Sequence, residues 1–165
     1  MDNNWTCIKK MIEENAINDI VEVCKKLEEG EFNDIKKKLL QELRSTDIKA
    51  HRNTIAIVLS DLKCDEAIGT LIDLINDPKN RNCRGTFIYA LQELKCENVL
   101  KKIIPILFDG NLEVKCNMYD LLSEKVKYMS ETDQWECMSI LREEKKKLED
   151  ELELLEDVEK IFLKS

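Results

Sequence analysis

Apolar residues in the middle of the chain recur at helical spacing. Ile55, Val58, Leu59 and Leu62 share one side of a 3.6-residue turn, and after a break at Lys63-Cys64-Asp65 the stripe resumes with Ile68, Leu71, Ile72 and Ile75. Each stripe predicts a short amphipathic helix, so residues 50–77 read as two helices joined at that break. The pattern returns 32 residues later. Laid over 82–109 without gaps, residues 50–77 place Arg52, Thr54, Leu59, Leu62, Lys63, Cys64, Ile72 and Asp77 on Arg84, Thr86, Leu91, Leu94, Lys95, Cys96, Ile104 and Asp109. Nine of the remaining differences exchange one apolar residue for another, as at Ile55/Phe87, Ala67/Val99 and Leu74/Ile106. A third copy begins at "VKCNMYDLLSE", with Lys115, Met118, Leu121 and Leu122. A fixed period of this length marks stacked supersecondary units that shelter one another's apolar faces. Asp65 and Glu97 stand where each second helix starts, a place that favours negative charge, and a turn former follows Asp77 and Asp109.

Three junctions carry a further pattern. Asp77-Pro78 is followed by Cys83-Arg84 and "FIYALQEL", Asp109-Gly110 by Val114-Lys115 and "NMYDLLSE", and Asp47 by His51-Arg52 and "IAIVLSDL". These resemble the HEAT repeat, in which a helix ends in Asp, a short turn follows, and an Arg opens a helix rich in Ala and Leu. Pro105, inside "IIPILF", matches a proline common within the family's helices. The resemblance covers residues 46–125. It implies an all-α fold, a right-handed α-solenoid of stacked antiparallel helix pairs. It also implies a polar ladder joining Asp47, Asp77 and Asp109 to Arg52, Arg84 and Lys115, weakened at Lys115, which lacks the forked guanidinium.

Outside that span the pattern stays helical. Trp5, Ile8 and Ile12, then Ile17, Ile20, Val21, Cys24 and Leu27, predict one long or two short helices ending at Gly30. Phe32, Ile35, Leu39 and Leu43 predict another, so residues 1–45 read as a degenerate terminal repeat. Over 130–163, with Ser130 or Thr132 as cap, a long acidic helix is predicted. Its Leu141, Leu148, Leu155 and Phe162 lie seven apart, the spacing of a helix-packing seam. Lys145 and Glu159 interrupt the companion row, which favours a capping helix folded back on the array over a coiled-coil dimer.

Composition agrees with helices. Of 165 residues only four are Gly and two Pro, while 36% are charged and 43% apolar, which suits one domain spanning 1–165. The net charge of −8 is uneven: residues 1–50 hold 11 acids against 9 bases, residues 51–112 hold 8 of each, and residues 113–165 hold 15 acids against 9 bases. Such a surface repels phosphate backbones. It suits a basic protein partner and also serves solubility. No apolar run is long enough for a membrane span, and the N-terminus lacks the order of a secretory signal. Seven widely spaced cysteines then suggest reduced, mostly buried thiols and a cytoplasmic setting.

Candidate chemistry is sparse. Zinc sites need closely set thiolate or imidazole pairs, and no two cysteines here are closer than 13 residues. Cys64 and Cys96 occupy equivalent points in neighbouring units, so roughly 10 Å of helix packing separates them, and they read as apolar filler. His51 takes a packing slot, and Cys116, beside Lys115, has no His or Asn near it in sequence. No phosphate-loop, dinucleotide or zinc-protease motif occurs, so no catalytic residue, metal ligand or cofactor is predicted. A basic cluster of Lys79, Arg81, Arg84, Lys101 and Lys102 supplies the alternative reading, a DNA-binding or DNA glycosylase-like helical-repeat protein. The main reading is a non-catalytic interaction module. By resemblance to the family, its second helices line a concave side, presenting Glu66, Thr70 and Asp73 in one unit and Asn98, Lys101 and Lys102 in the next. Glu131, Gln134 and Trp135 extend that surface, Trp135 either as an anchor or as packing under the terminal helix. One concrete version is an immunity protein that neutralises a basic toxin domain.

Overall fold

The break predicted at Lys63 is a helix C-cap. Helix α4 (Lys49–Asp61) ends with Lys63 at φ 52°, where its N–H reaches the Ser60 carbonyl at 2.8 Å and the Cys64 N–H reaches that of Leu59 at 2.9 Å. Those two bonds close the last carbonyls of the helix, and Cys64 folds back onto Leu59. The structure, a computed structural model, describes residues 2–163, and among them every regular element is helical.

The N-terminal pattern resolves into two short helices, α1 (Asp2–Glu13) and α2 (Ile17–Lys25). Asn15 separates them at φ 56°, a conformation asparagine tolerates. Its N–H and that of Ala16 return to Ile12 and Met11, and its side-chain oxygen accepts the Thr54 hydroxyl at 2.6 Å, tying the turn to α4. Helix α3 (Glu29–Ser45) buries Ile35, Leu39 and Leu43. Gly30 therefore lies inside its first turn and stops nothing; the chain breaks earlier, at 26–28.

A 3₁₀ turn at 65–67 leads into α5 (Ile68–Asn76), and another at 78–80 leads towards α6 (Arg84–Ala90). The second unit departs from the predicted pair of helices. After Ala90 the chain proceeds through three-residue turns, with Leu91, Gln92 and Leu94 N–H groups bonding to Ile88, Tyr89 and Leu91. Only a 3₁₀ turn at 100–102 and the short α7 (Ile106–Asp109) stand where a continuous helix was expected. Pro105 explains part of this, since it has no N–H to give and crowds the preceding turn. Burial nevertheless follows the stripe: Leu91, Leu94, Leu100 and Ile103 are fully buried. The second Leu-Lys-Cys triplet also differs from the first. Lys95 has no left-handed φ, and its N–H bonds to the Asp65 carboxylate at 3.0 Å.

Helix α8 (Leu112–Lys125) is capped by Asn111, and a 3₁₀ turn at 126–128 leads to α9 (Glu131–Leu163). Ser130 caps α9, its hydroxyl oxygen accepting the Asp133 N–H at 3.1 Å. Helix α4 packs on α1, α2, α3 and α6; α6 packs in turn on α5 and α8. Long-range polar links repeatedly join residues about one repeat apart: Lys36 to Glu66, Asp65 to Lys95, Gly85 to Asn117 and Lys101 to Asp133.

Two expectations are corrected. The terminal helix does not fold back over the rest of the chain. Cys137 is buried and Ile140 and Leu141 lean on the core, but every residue of 145–163 is exposed, because the body ends where α9 leaves it. The ladder is also reduced. Arg84 meets Asp109 at 3.2 Å, whereas Arg52 bonds to Asn80 at 2.7 Å and to the Thr46 carbonyl. Asp77 turns instead to its own turn, accepting the Lys79 N–H at 2.9 Å, while Asp47 and Lys115 are exposed.

Candidate interaction surface

The residues singled out from sequence differ in exposure and in what holds them. Glu66 faces α3, where Lys36 bonds to it at 2.7 Å and the Cys64 thiol at 3.3 Å. Lys36 above all, then a backbone N–H and the thiol, hold the Glu66 carboxyl down at about 2. Thr70 is buried, its hydroxyl accepting from Arg44 at 2.9 Å, so it fills the α3–α5 contact and cannot line a groove. Asp73, Asn98 and Lys102 are exposed. Lys101 belongs to a clamp: its amine lies 2.7 Å from Asp133 and 2.9 Å from Glu136, pinning the first turns of α9 to the 100–102 turn. Both acids raise the Lys101 pKa, Asp133 most, and Lys101 in turn lowers that of Asp133.

Gln134 is structural as well. Its amide donates to the Val126 and Met129 carbonyls at 3.0 and 3.1 Å, closing the end of α8. Glu131 is exposed, and so is Trp135 at 69%, which removes core packing as its role. Tyr128, 63% exposed with Lys127 over its ring, lies seven residues before it. These two aromatics stand at the turn between α8 and α9, in the third of the chain where acids outnumber bases.

One apolar feature escaped the sequence reading. Ile104, Leu107, Leu122, Val126, Met138 and Leu141 line a cleft of about 400 Å³, with Tyr119 at its edge. Its signal was present: Leu112 and Tyr119 on α8 and Val126 just after it lie seven apart, off the buried stripe of Val114, Met118 and Leu121. Apolar residues on both faces of one helix mark a second contact surface.

Five of the seven thiols are buried, while Cys7 and Cys116 are exposed. Burial pushes the Cys24 and Cys96 thiols up to about 11 and, with Glu66 beside it, Cys64 to about 12. Such thiols are poor nucleophiles at neutral pH. Among the described residues no group of three His, Cys, Asp or Glu is placed to hold a metal ion. Within the basic cluster, Arg84 is buried, Arg84 and Arg81 both face Asp109, and Lys101 is held by two acids. No helix among the described residues is long and apolar enough to cross a membrane. Compared with known proteins, the chain matches no family model, no curated protein and no solved structure.

Proposed function

We propose that this chain is a non-catalytic HEAT-like repeat module that binds another protein. Two features support the repeat architecture: α4, α6 and α8 pack in succession, and polar links join residues about 30 apart. A stack in which each unit touches only its neighbours produces that spacing. The observation that carries the binding role is Trp135, left 69% exposed on the rigid, Lys101-clamped start of α9. A large aromatic held in place at the surface is the residue type on which interface energy concentrates.

The partner is a basic protein, drawn by the 15 acids against 9 bases of residues 113–165. An immunity protein that blocks a basic toxin domain fits that description. The test is to isolate the protein bound to this chain in its native cell and titrate the purified pair. Association that slows with added salt, and an affinity about tenfold or more weaker for Trp135→Ala, support the reading. Unchanged binding by that variant contradicts it, as does retention on duplex DNA in place of a protein.

A further inference from the structure

Residues 145–163 form about 28 Å of helix in which every residue is exposed. Along it Leu148, Leu152, Leu155 and Phe162 are exposed by 58, 57, 66 and 76%. Helices in proteins draw most of their stability from packing an apolar face, and here the ion pairs Lys145–Glu149, Lys147–Glu144 and Lys160–Asp157 line the flank while the apolar stripe is open. The stripe is continuous with the body: Leu141, one heptad before Leu148, already leans on the core, and Met138 lines the α8–α9 cleft.

We propose that this stripe pairs with the same helix of a second copy of the chain, in antiparallel orientation. Charge sets both the partner and the direction. Residues 142–147 carry four bases and two acids, while residues 149–159 carry seven acids and no base. A parallel pair would lay those seven acids along the same seven, and Lys145 and Glu159 would each face their own copies in the seam. An antiparallel pair lays the acidic block along the basic one. The register that faces Leu148 with Leu152 of the second copy puts Lys145 within one turn of the second copy's Glu159, and Arg142 beside its Glu156. Lys145 and Glu159, the two residues that spoil a conventional seam, thereby become its ion pair. The same register sets Phe162 opposite Met138 of the second copy, at the mouth of the apolar cleft. Sliding one heptad outward would bring Glu149 against Glu156, and one heptad inward would drive the C-terminal turn along residues 131–138, which the body already holds. The contact is isologous and closes on itself as a dimer. Glu149 and Glu151 approach their counterparts near the axis, which limits the affinity.

The test uses the full chain in sedimentation equilibrium. At about 100 µM the wild type runs at twice its 19.3 kDa mass and moves towards monomer on dilution. Leu152→Glu with Leu155→Glu gives a monomer whose thermal unfolding is otherwise preserved, since neither residue is buried in the single chain. Lys145→Glu and Glu159→Lys each weaken the dimer about tenfold or more, and the two together restore it. Glu151→Gln tightens it. A monomer at the highest concentration overturns the proposal, and so does a dimer that survives the leucine substitutions. Single charge reversals without effect overturn the antiparallel direction, because a parallel pair only exchanges one like-charge contact for another. The partner reading is tested separately: Trp135→Ala leaves Leu152, Leu155, Lys145 and Glu159 in place, and the seam substitutions leave Trp135 unchanged.

Discussion

The Arg84 guanidinium, on a residue only 4% exposed, meets the Asp109 carboxylate at 3.2 and 3.3 Å across the second unit. The pair joins the first turn of α6 to the last turn of α7, where the backbone has few helical bonds of its own. Arg84 Nε has no hydrogen-bond partner, so Asp109 carries most of the compensation for a buried charge. Asp109→Asn leaves that charge underpaired and destabilises the chain by about 1–3 kcal/mol. Urea unfolding measures it. Asp47→Asn, on an exposed side chain, stays within about 0.5 kcal/mol.

Glycine substitutions separate crowded positions from open ones. A Cβ on Gly110 would stand 2.7 Å from the Ile106 carbonyl oxygen and 2.5 Å from Val114 Cγ1, both fixed in the α7–α8 corner. Gly110→Ala therefore costs about 1–3 kcal/mol. Gly69, in the first turn of α5, has nothing within 4 Å of that position, and Gly69→Ala stabilises by about 0.4–1 kcal/mol. Gly85 falls between, because the flexible Glu113 side chain it would meet can swing aside. Melting temperatures should rise from Gly110→Ala through Gly85→Ala to Gly69→Ala.

Acid sensitivity follows from Glu66. Its folded pKa, near 2, lies below the usual 4.5, so the unfolded chain binds this proton more tightly. The stabilisation is complete above about pH 4.5 and is lost as pH falls towards 2. The Glu66 side chain is 58% exposed, so solvent keeps the effect modest. Between pH 7 and pH 3 the urea midpoint of wild type should fall further than that of Glu66→Gln. Equal falls would show that the Lys36 contact does not form.

Thiol labelling distinguishes surface from core. Cys7 and Cys116 are exposed, whereas Cys24, Cys64, Cys83, Cys96 and Cys137 are buried. A soluble aromatic disulfide reagent at pH 8 should consume two thiols quickly and five only on unfolding. Fast reaction of Cys64 would contradict its burial and its raised pKa.

Helices were legible wherever an apolar stripe and a chain break coincided, as at Ile55–Leu62 and the Lys63 cap. Burial was legible further still: Leu91, Leu94 and Ile103 are buried although their backbone is not α-helical. The turn type at 91–105 was not legible, because a stripe reports which side faces the core and not whether carbonyls bond three or four residues on. Gly30 misled because glycine costs little in a first turn. The ladder thinned for a local reason. Pro78 opens a 3₁₀ turn whose Lys79 N–H takes the Asp77 carboxylate, leaving Asn80 for Arg52; Gly110 opens no such turn, and Asp109 reaches Arg84. Thr70 was misplaced because Arg44, 26 residues earlier in the chain, covers it. A heptad stripe in α9 cannot say whether its complement lies in the same chain.

Methyl and aromatic proton contacts in a nuclear Overhauser spectrum test the stacked arrangement most directly. The account predicts strong contacts between Ile55 or Leu59 on α4 and Ile88 or Leu91 beside α6, then between Phe87 and Met118 on α8, with long-range contacts clustering near one repeat of separation. Contacts that bring Leu148 or Leu155 into the α4 core, or that leave α4 and α6 apart, would contradict it.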